Sequence, residues 1–123
     1  MIWGDYEHDG DLDVLYAGLR LSGPSVARST TLLRQQAGTF FLDGPTCTIL
    51  PGTQYGAAAF ADYNNDGLLD LALTGVTSAG PRLASIYRNP GGCAFDLVPT
   101  PALEGVMKGA LAWGDFDSDN DPD

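Results

Sequence analysis

Positive charge is scarce in this chain. Lys and Arg number 6 against 16 Asp and Glu, for a formal charge of −10 over 123 residues. Binding to nucleic acid or to an anionic membrane draws on a surplus of cations, so this balance argues against both as partners. Histidine occurs once, at His8, and no phosphate-binding glycine loop is present, so a Ser-His-Asp relay and a nucleotide cradle are both poorly supported. No apolar run approaches the roughly 20 residues of a membrane-spanning helix. The amino terminus, Met1-Ile2-Trp3-Gly4-Asp5, has neither the basic nor the apolar region of a signal peptide. Cysteine is limited to Cys47 and Cys93, which is compatible with a secreted protein and far too sparse for a disulfide-built scaffold.

Acid, glycine and proline are abundant, and the acids are clustered. Thirteen of the 16 fall in three stretches. The first runs from Trp3-Gly4-Asp5 to Asp13, the second from Phe60-Ala61-Asp62 to Asp70, and the third from Trp113-Gly114-Asp115 to Asp123. Counting from the first Asp of each, positions one, three, five and nine carry side-chain oxygens, and position six is Gly10, Gly67 or Asn120. Gly and Asn take positive φ most easily, so position six suits a sharp turn. Alternate inward oxygens, with a carbonyl from position seven, are how a short loop wraps a hard cation. One stretch of Asp, Asn and Gly is first of all a solvated turn. Three copies, each with an aromatic residue two places before the first Asp, specify more than turns, and we read them as calcium loops. An EF-hand is excluded because its bidentate acid at position twelve is replaced by Tyr16 and Leu73.

The repetition extends past the loops. Gly18, Gly23 and Pro24 recur 57 residues on as Gly75, Gly80 and Pro81. Leu33-Arg34-Gln35 recurs 54 residues on as Tyr87-Arg88-Asn89, and Gly38 with Phe41 as Gly92 with Phe95. The difference is taken up between Pro24 and Leu33. A period of this size marks a repeat architecture. Within one period, 56–61, 69–74, 82–88 and 93–98 read as four strands joined by short turns, the acidic loop being the turn between the first two. Alanine favours helix in 56–61, but that window is too short and lacks caps. The expected fold is all-β: a segment of a β-propeller with two four-stranded antiparallel blades, at 1–50 and 51–105, followed at 106–123 by the first strand and loop of a third.

The motif Trp-Gly-Asp-Tyr-x-x-Asp-Gly-Asp-Leu-Asp followed by Tyr-Ala-Gly resembles the repeat of the FG-GAP (VCBS-type) family, which also builds the amino-terminal propeller of integrin α subunits. The resemblance covers nearly the whole chain. It implies one calcium site from Asp5, Glu7, Asp9, Asp11 and Asp13, a second from Asp62, Asn64, Asp66, Leu68 and Asp70, and a third from Asp115, Asp117, Asp119, Asp121 and Asp123. Leu68 would act through its backbone carbonyl, as Asp11 and Asp121 could. Glu7 is longer than the usual Asp or Asn, and the third loop is followed by no strand.

The expected function is a calcium-stabilised, non-enzymatic module for extracellular or cell-surface interaction or adhesion. Its ligand would be a protein or a glycan, with no insertion into membrane. The alternative is a carbohydrate-binding accessory propeller of a polysaccharide-active enzyme, which aromatics outside the packing positions would favour. Trp3, Phe60 and Trp113 are assigned to packing between blades, and Tyr6, Tyr63 and Phe116 to covering the loops. Arg34 and Arg88, read as the only recurring basic residues, are assigned to carboxylate partners. Cys47 follows the fourth strand of its repeat and Cys93 begins the fourth strand of the next; outer strands of neighbouring blades diverge, so no direct disulfide between them is expected. The repeat pattern breaks off at both ends, as in a piece of a longer reading frame, and the exposed blade faces lead to an expectation of self-association.

Overall fold

The computed structural model describes residues 1–42, 47, 50–118 and 122. Among them it forms strands and no helix: β1 (Ile2–Gly4), β2 (Asp13–Ser22), β3 (Ser25–Gln36), β4 (Thr39–Leu42), β5 (Thr53–Gln54), β6 (Ala58–Ala61), β7 (Asp70–Thr77), β8 (Arg82–Arg88) and β9 (Asp96–Val98). Two antiparallel sheets result, one in the order β1-β2-β3-β4 and the other in the order β5-β7-β8-β9 with β6 also on β7. The fold is all-β as expected.

Turn chemistry sets the registers. Gln36 pairs with Thr39 across Ala37 and Gly38, whose φ values of 49° and 80° are the left-handed pair that a two-residue hairpin requires. Ser22 pairs with Ser25 across Gly23-Pro24, with Gly23 at φ 59°. The β2–β3 ladder runs for nine residue pairs against six in β7–β8. That longer hairpin absorbs the change in repeat length.

The two sheets pack through opposite faces. Ile2, Leu15 and Leu32 form one cross-strand row of the first sheet. Against that face lie Leu71, Leu73, Tyr87 and Phe95 of the second, with Tyr6 and Leu50 completing the core. Tyr6, Leu15, Leu71 and Leu73 are fully buried. Each fully buried aliphatic side chain contributes roughly 1.5–3 kcal/mol, so this one interface dominates the stability of the pair. Polar pins set its angle. Arg28 Nη1 donates to the Thr77 carbonyl at 3.0 Å, and Thr30 Oγ1 donates to the Pro51 carbonyl at 2.7 Å. With the Gln54 amide turned so that its oxygen faces Arg28, it accepts from Nε at 2.9 Å and Nη2 at 2.8 Å.

Several expectations need correction. The strand expected at 56–61 begins at Ala58: a bulge at Tyr55 (φ 54°) and Gly56 separates β6 from the short β5 before it. A Cβ on Gly56 would collide with the Thr74 carbonyl, which is why the chain narrows there. The fourth strand begins at Asp96 rather than at Cys93. Arg34 pairs with Phe41 but Arg88 pairs with Asp96, so the connection in the second sheet is one residue longer and the counterpart of Phe95 is Phe40, not Phe41. Residues 109–113 form no strand; no described strand pairs with them, and the nearest ladder contact is the bridge Leu83↔Val106. Cys47 and Cys93 are bonded, with Cα atoms 4.9 Å apart. Cys47 lies beyond β4, in the connection that crosses to the second sheet, so the divergence of outer strands does not separate it from Cys93. Arg28 and Arg82 recur 54 residues apart just as Arg34 and Arg88 do, so the latter are not the only recurring basic pair.

Candidate functional site

The first and second acidic loops join β1 to β2 and β6 to β7, and they share one hydrogen-bond pattern. The position-one carboxylate caps two successive amides. Asp5 accepts from Asp9 N at 3.0 Å and Gly10 N at 2.9 Å, and Asp62 accepts from Asp66 N at 3.0 Å and Gly67 N at 2.8 Å. The position-five carboxylate takes the amide two residues on: Asp9 from Asp11 N at 2.9 Å, and Asp66 from Leu68 N at 3.0 Å. Asn64 adds a bond from Asp66 N at 3.0 Å. Local side-chain acceptors of this kind offer the backbone an alternative to the ladder, which is why the strands stop here.

Positive φ at position six is observed at Gly10 (94°) and Gly67 (87°). A second left-handed position was not foreseen. Position four takes φ 60° at His8, 55° at Asn65 and 65° at Ser118. The described part of the third loop therefore shares this left-handed position with the other two, although its residues differ. Asn and His are both enriched among left-handed residues and Ser is not, so the three residues share no one signal in composition.

The position-nine carboxylates are the most enclosed. Asp13 and Asp70 are fully buried. Asp13 accepts from Tyr6 N at 3.1 Å within its loop and from Gln35 N at 2.8 Å across the sheet. Asp70 likewise accepts from Tyr63 N at 3.2 Å and Asn89 N at 2.7 Å. Each thus clamps its loop to the strand after next. Burial pushes both carboxyls up from the ordinary Asp range, and those backbone donors oppose the shift. Each oxygen keeps a further lone pair beyond the bond it accepts.

The other site residues divide. Asp11 turns its carboxylate to Ala37 N at 3.1 Å, which leaves its backbone carbonyl for the loop. Glu7 lies 3.7 Å from Arg34 Nη1, and its side chain is only 15% exposed. Burial pushes Glu7 up to about 7, helped by its hydrogen bond with Asp9 and opposed by Arg34. Arg88 pairs with Asp96 at 3.2 Å, so both arginines have the carboxylate partners expected of them. Asp115 and Asp117 are exposed at the start of the third loop; Asp119, Asn120, Asp121 and Asp123 lie outside the described residues.

The carboxylates hold backbone donors rather than converging on a point. Among the described residues no three His, Cys, Asp or Glu side chains come together as a ready cage for a metal. Like charges without a counter-ion separate, and amides are the available partners. The donor set nonetheless suits a hard cation. It consists of carboxylate, amide and carbonyl oxygens only, on a loop whose turn is already set by position one.

Asn89 is a residue that spacing did not identify. Fully buried, it donates from Nδ2 to the Tyr6 carbonyl at 2.6 Å and to the Leu69 carbonyl at 3.1 Å, and accepts from Gly91 N at 3.0 Å. It thereby joins both loops to one another. Tyr6 is a core residue facing Phe95, with ring centroids 5.9 Å apart, and not the loop cover assigned to it. Tyr63 stacks on Trp113 at 6.1 Å, while Phe116 is 89% exposed. Phe60 packs over Gly4, and Trp113 Nε1 donates to the Ala59 carbonyl at 3.3 Å. Trp3, 54% exposed, meets only the edge of Phe40 at 6.1 Å among the ring contacts seen.

A family model described as FG-GAP-like repeat matches residues 5–73, beginning at the first loop and ending within β7. No curated protein and no solved structure matches the chain. No helix among the described residues is long and apolar enough to cross a membrane.

Proposed function

The chain belongs to the FG-GAP-like repeat family, and on that premise we propose that it is a calcium-binding segment of a β-propeller that serves extracellular protein interaction or adhesion. The cation is structural. The observation that carries this reading is the repeated loop: the same carboxylate-to-amide pattern holds in two loops 57 residues apart, and the same left-handed fourth position recurs in all three. Turns that only needed solvating would have no reason to keep four acidic or amide positions in register.

Asp5, Glu7, Asp9 and Asp13 with the Asp11 carbonyl would hold one ion. Asp62, Asn64, Asp66 and Asp70 with the Leu68 carbonyl would hold another, and the third loop would offer Asp115 and Asp117 with Asp119, Asp121 and Asp123. A bound divalent ion supplies the counter-charge these carboxylates lack. The protein's own part is to fix the turn through positions one and six, and to tie the loop to the sheet through Asp13 and Asp70. No catalytic role is assigned to any residue. The carbohydrate-binding alternative calls for aromatics away from packing positions. Trp3, Tyr16 and Phe40 instead share the sheet face whose counterpart is packed in the second sheet, which favours the interaction reading.

Calorimetric titration with calcium tests the ligand set. Asp66→Ala should weaken one site on the order of tenfold, the effect of about 1.4 kcal/mol. His8→Asn should leave all sites unchanged, because it keeps a residue tolerant of positive φ at an outward position. Equal losses in the two variants would mean that the ligand register is wrong.

A further inference from the structure

Only two residues separate the closing carboxylates of the first and second acidic loops. Asp70 accepts from Asn89 N at 2.7 Å, and Asn89 Nδ2 donates to the Tyr6 carbonyl at 2.6 Å. Tyr6 in turn donates from its own N to Asp13 at 3.1 Å. An unbroken run of contacts therefore leads from position nine of the second loop to position nine of the first. Asp13, Tyr6, Asp70 and Asn89 are all fully buried, so water does not compete for these bonds.

The bases of the two loops also meet. Gly4 directly precedes Asp5, and a Cβ there would lie 2.8 Å from the Phe60 side chain and 2.9 Å from that of Leu69. Leu69 directly precedes Asp70, and its carbonyl is the second acceptor of Asn89 Nδ2, at 3.1 Å. One side-chain nitrogen thus holds a residue of each loop. Asn89 is itself placed by the end of β8 and by Gly91 N, which donates to its Oδ1 at 3.0 Å.

We propose that Asn89 is a positioning residue that makes these two calcium sites cooperative, so that an ion in either loop raises the affinity of the other. The proposal rests on the calcium reading given above and goes beyond it, because two structural ions on one scaffold need not sense each other. Asp13 and Asp70 each serve as ligand and as anchor. An ion held by Asp70 fixes that carboxylate, and the bond from Asn89 N then fixes Asn89. The Asn89 side chain holds the Tyr6 carbonyl, and Tyr6 N orients Asp13. Freedom along this run is lost once, when the first ion binds, and the second ion meets a loop already ordered. Linkage makes the effect reciprocal: each ion helps the other by the same factor. Couplings between sites typically begin at about fivefold.

Calcium titration of the isotope-labelled chain, followed by nuclear magnetic resonance, reads the two sites separately through the amides of Gly10 and Gly67, each at position six of its loop. Asn64→Ala with Asp66→Ala removes two ligands of the second loop and keeps Asp62 and Asp70, which hold its turn and its clamp. With that site empty, the Gly10 midpoint should rise to about twice its wild-type calcium concentration, because a fivefold coupling between two like sites moves each midpoint by its square root. Asn89→Ser keeps the backbone bond to Asp70 and is too short to reach Tyr6. In that background the same pair of changes should leave the Gly10 midpoint where it was. Should Asn89→Ser fail to fold, the Asn89 Nδ2 protons serve in its place. They should shift as calcium fills the first loop of the Asn64→Ala, Asp66→Ala chain, and protons that stay still would overturn the proposal. A Gly10 midpoint indifferent to loss of the second site would overturn the coupling and leave the calcium reading standing, and an equal shift in the Asn89→Ser background would do the same. Wild-type Gly10 and Gly67 amides that do not respond to calcium would remove the calcium reading and the coupling together.

Discussion

Replacing Asn89 by Ala should be among the most costly single changes in the molecule. The side chain is fully buried and makes three hydrogen bonds, to the Tyr6 and Leu69 carbonyls and from Gly91 N. Truncation removes all three and leaves two carbonyls and an amide without that partner in a region where water is excluded. At about 1–1.5 kcal/mol for each bond, the expected loss is about 3–5 kcal/mol. For a chain of this length that corresponds to a fall in Tm on the order of 15 °C. Gln35→Ala is the matched control. Gln35 occupies the same register in the first sheet, and its Oε1 is buried with no partner to lose, so its removal should cost less than about 1 kcal/mol. Asn89→Asp should be worse than Asn89→Ala, since an acceptor would then face two carbonyls. Urea unfolding followed by circular dichroism and tryptophan fluorescence measures all three. Equal losses for Asn89→Ala and Gln35→Ala would refute the claim that this side chain couples the two loops.

Reduction of the Cys47–Cys93 bond, which spans 46 residues, should lower stability by about 4 kcal/mol on the chain-entropy model; an unchanged melting midpoint in reductant would show that the staple contributes nothing. In chelator the pH dependence should run opposite to that of an ordinary salt-bridged carboxylate. Glu7 is raised from 4.5 to about 7, and Asp13 and Asp70 are raised too, so the folded chain binds protons more tightly than the unfolded one. The metal-free protein should then gain stability as pH falls from about 7 toward 4.5 and lose it as pH rises again. With calcium present the slope should reverse, because a cation favours the ionised carboxylates; parallel slopes in the two melting series would contradict the loop assignment.

Local signals in the sequence carried the architecture well and the connections between sheets poorly. Arg82–Arg88 reads as a strand because its apolar residues are bounded by Pro81 and by Asn89-Pro90, and the structure has the same bounds. The acidic loops are legible because their spacing is local. The clamp made by Asp70 is not, since its second partner is an amide 19 residues away, chosen by sheet register. Asn89 reaches Tyr6 across 83 residues and reads from sequence as no more than a turn former before Pro90. Arg28 was passed over because its partners are backbone carbonyls, which leave no mark in composition. The disulfide runs against expectation because the divergence of outer strands does not extend to Cys47, which lies past β4 in the crossing connection. The stretch 109–113 fares worst: it has a composition like that of β6 but pairs with no described strand.

Thermal melting of the wild-type chain in calcium and then in chelator tests the central claim most directly. With sites of about 10⁻⁴–10⁻³ M, the range of extracellular modules, calcium at ten times the dissociation constant should add about 1.4 kcal/mol for each occupied site. Two occupied loops should raise Tm by on the order of 10 °C, reversibly on adding chelator, with magnesium far less effective because it resists dehydration. A midpoint that does not move between calcium and chelator would contradict the account.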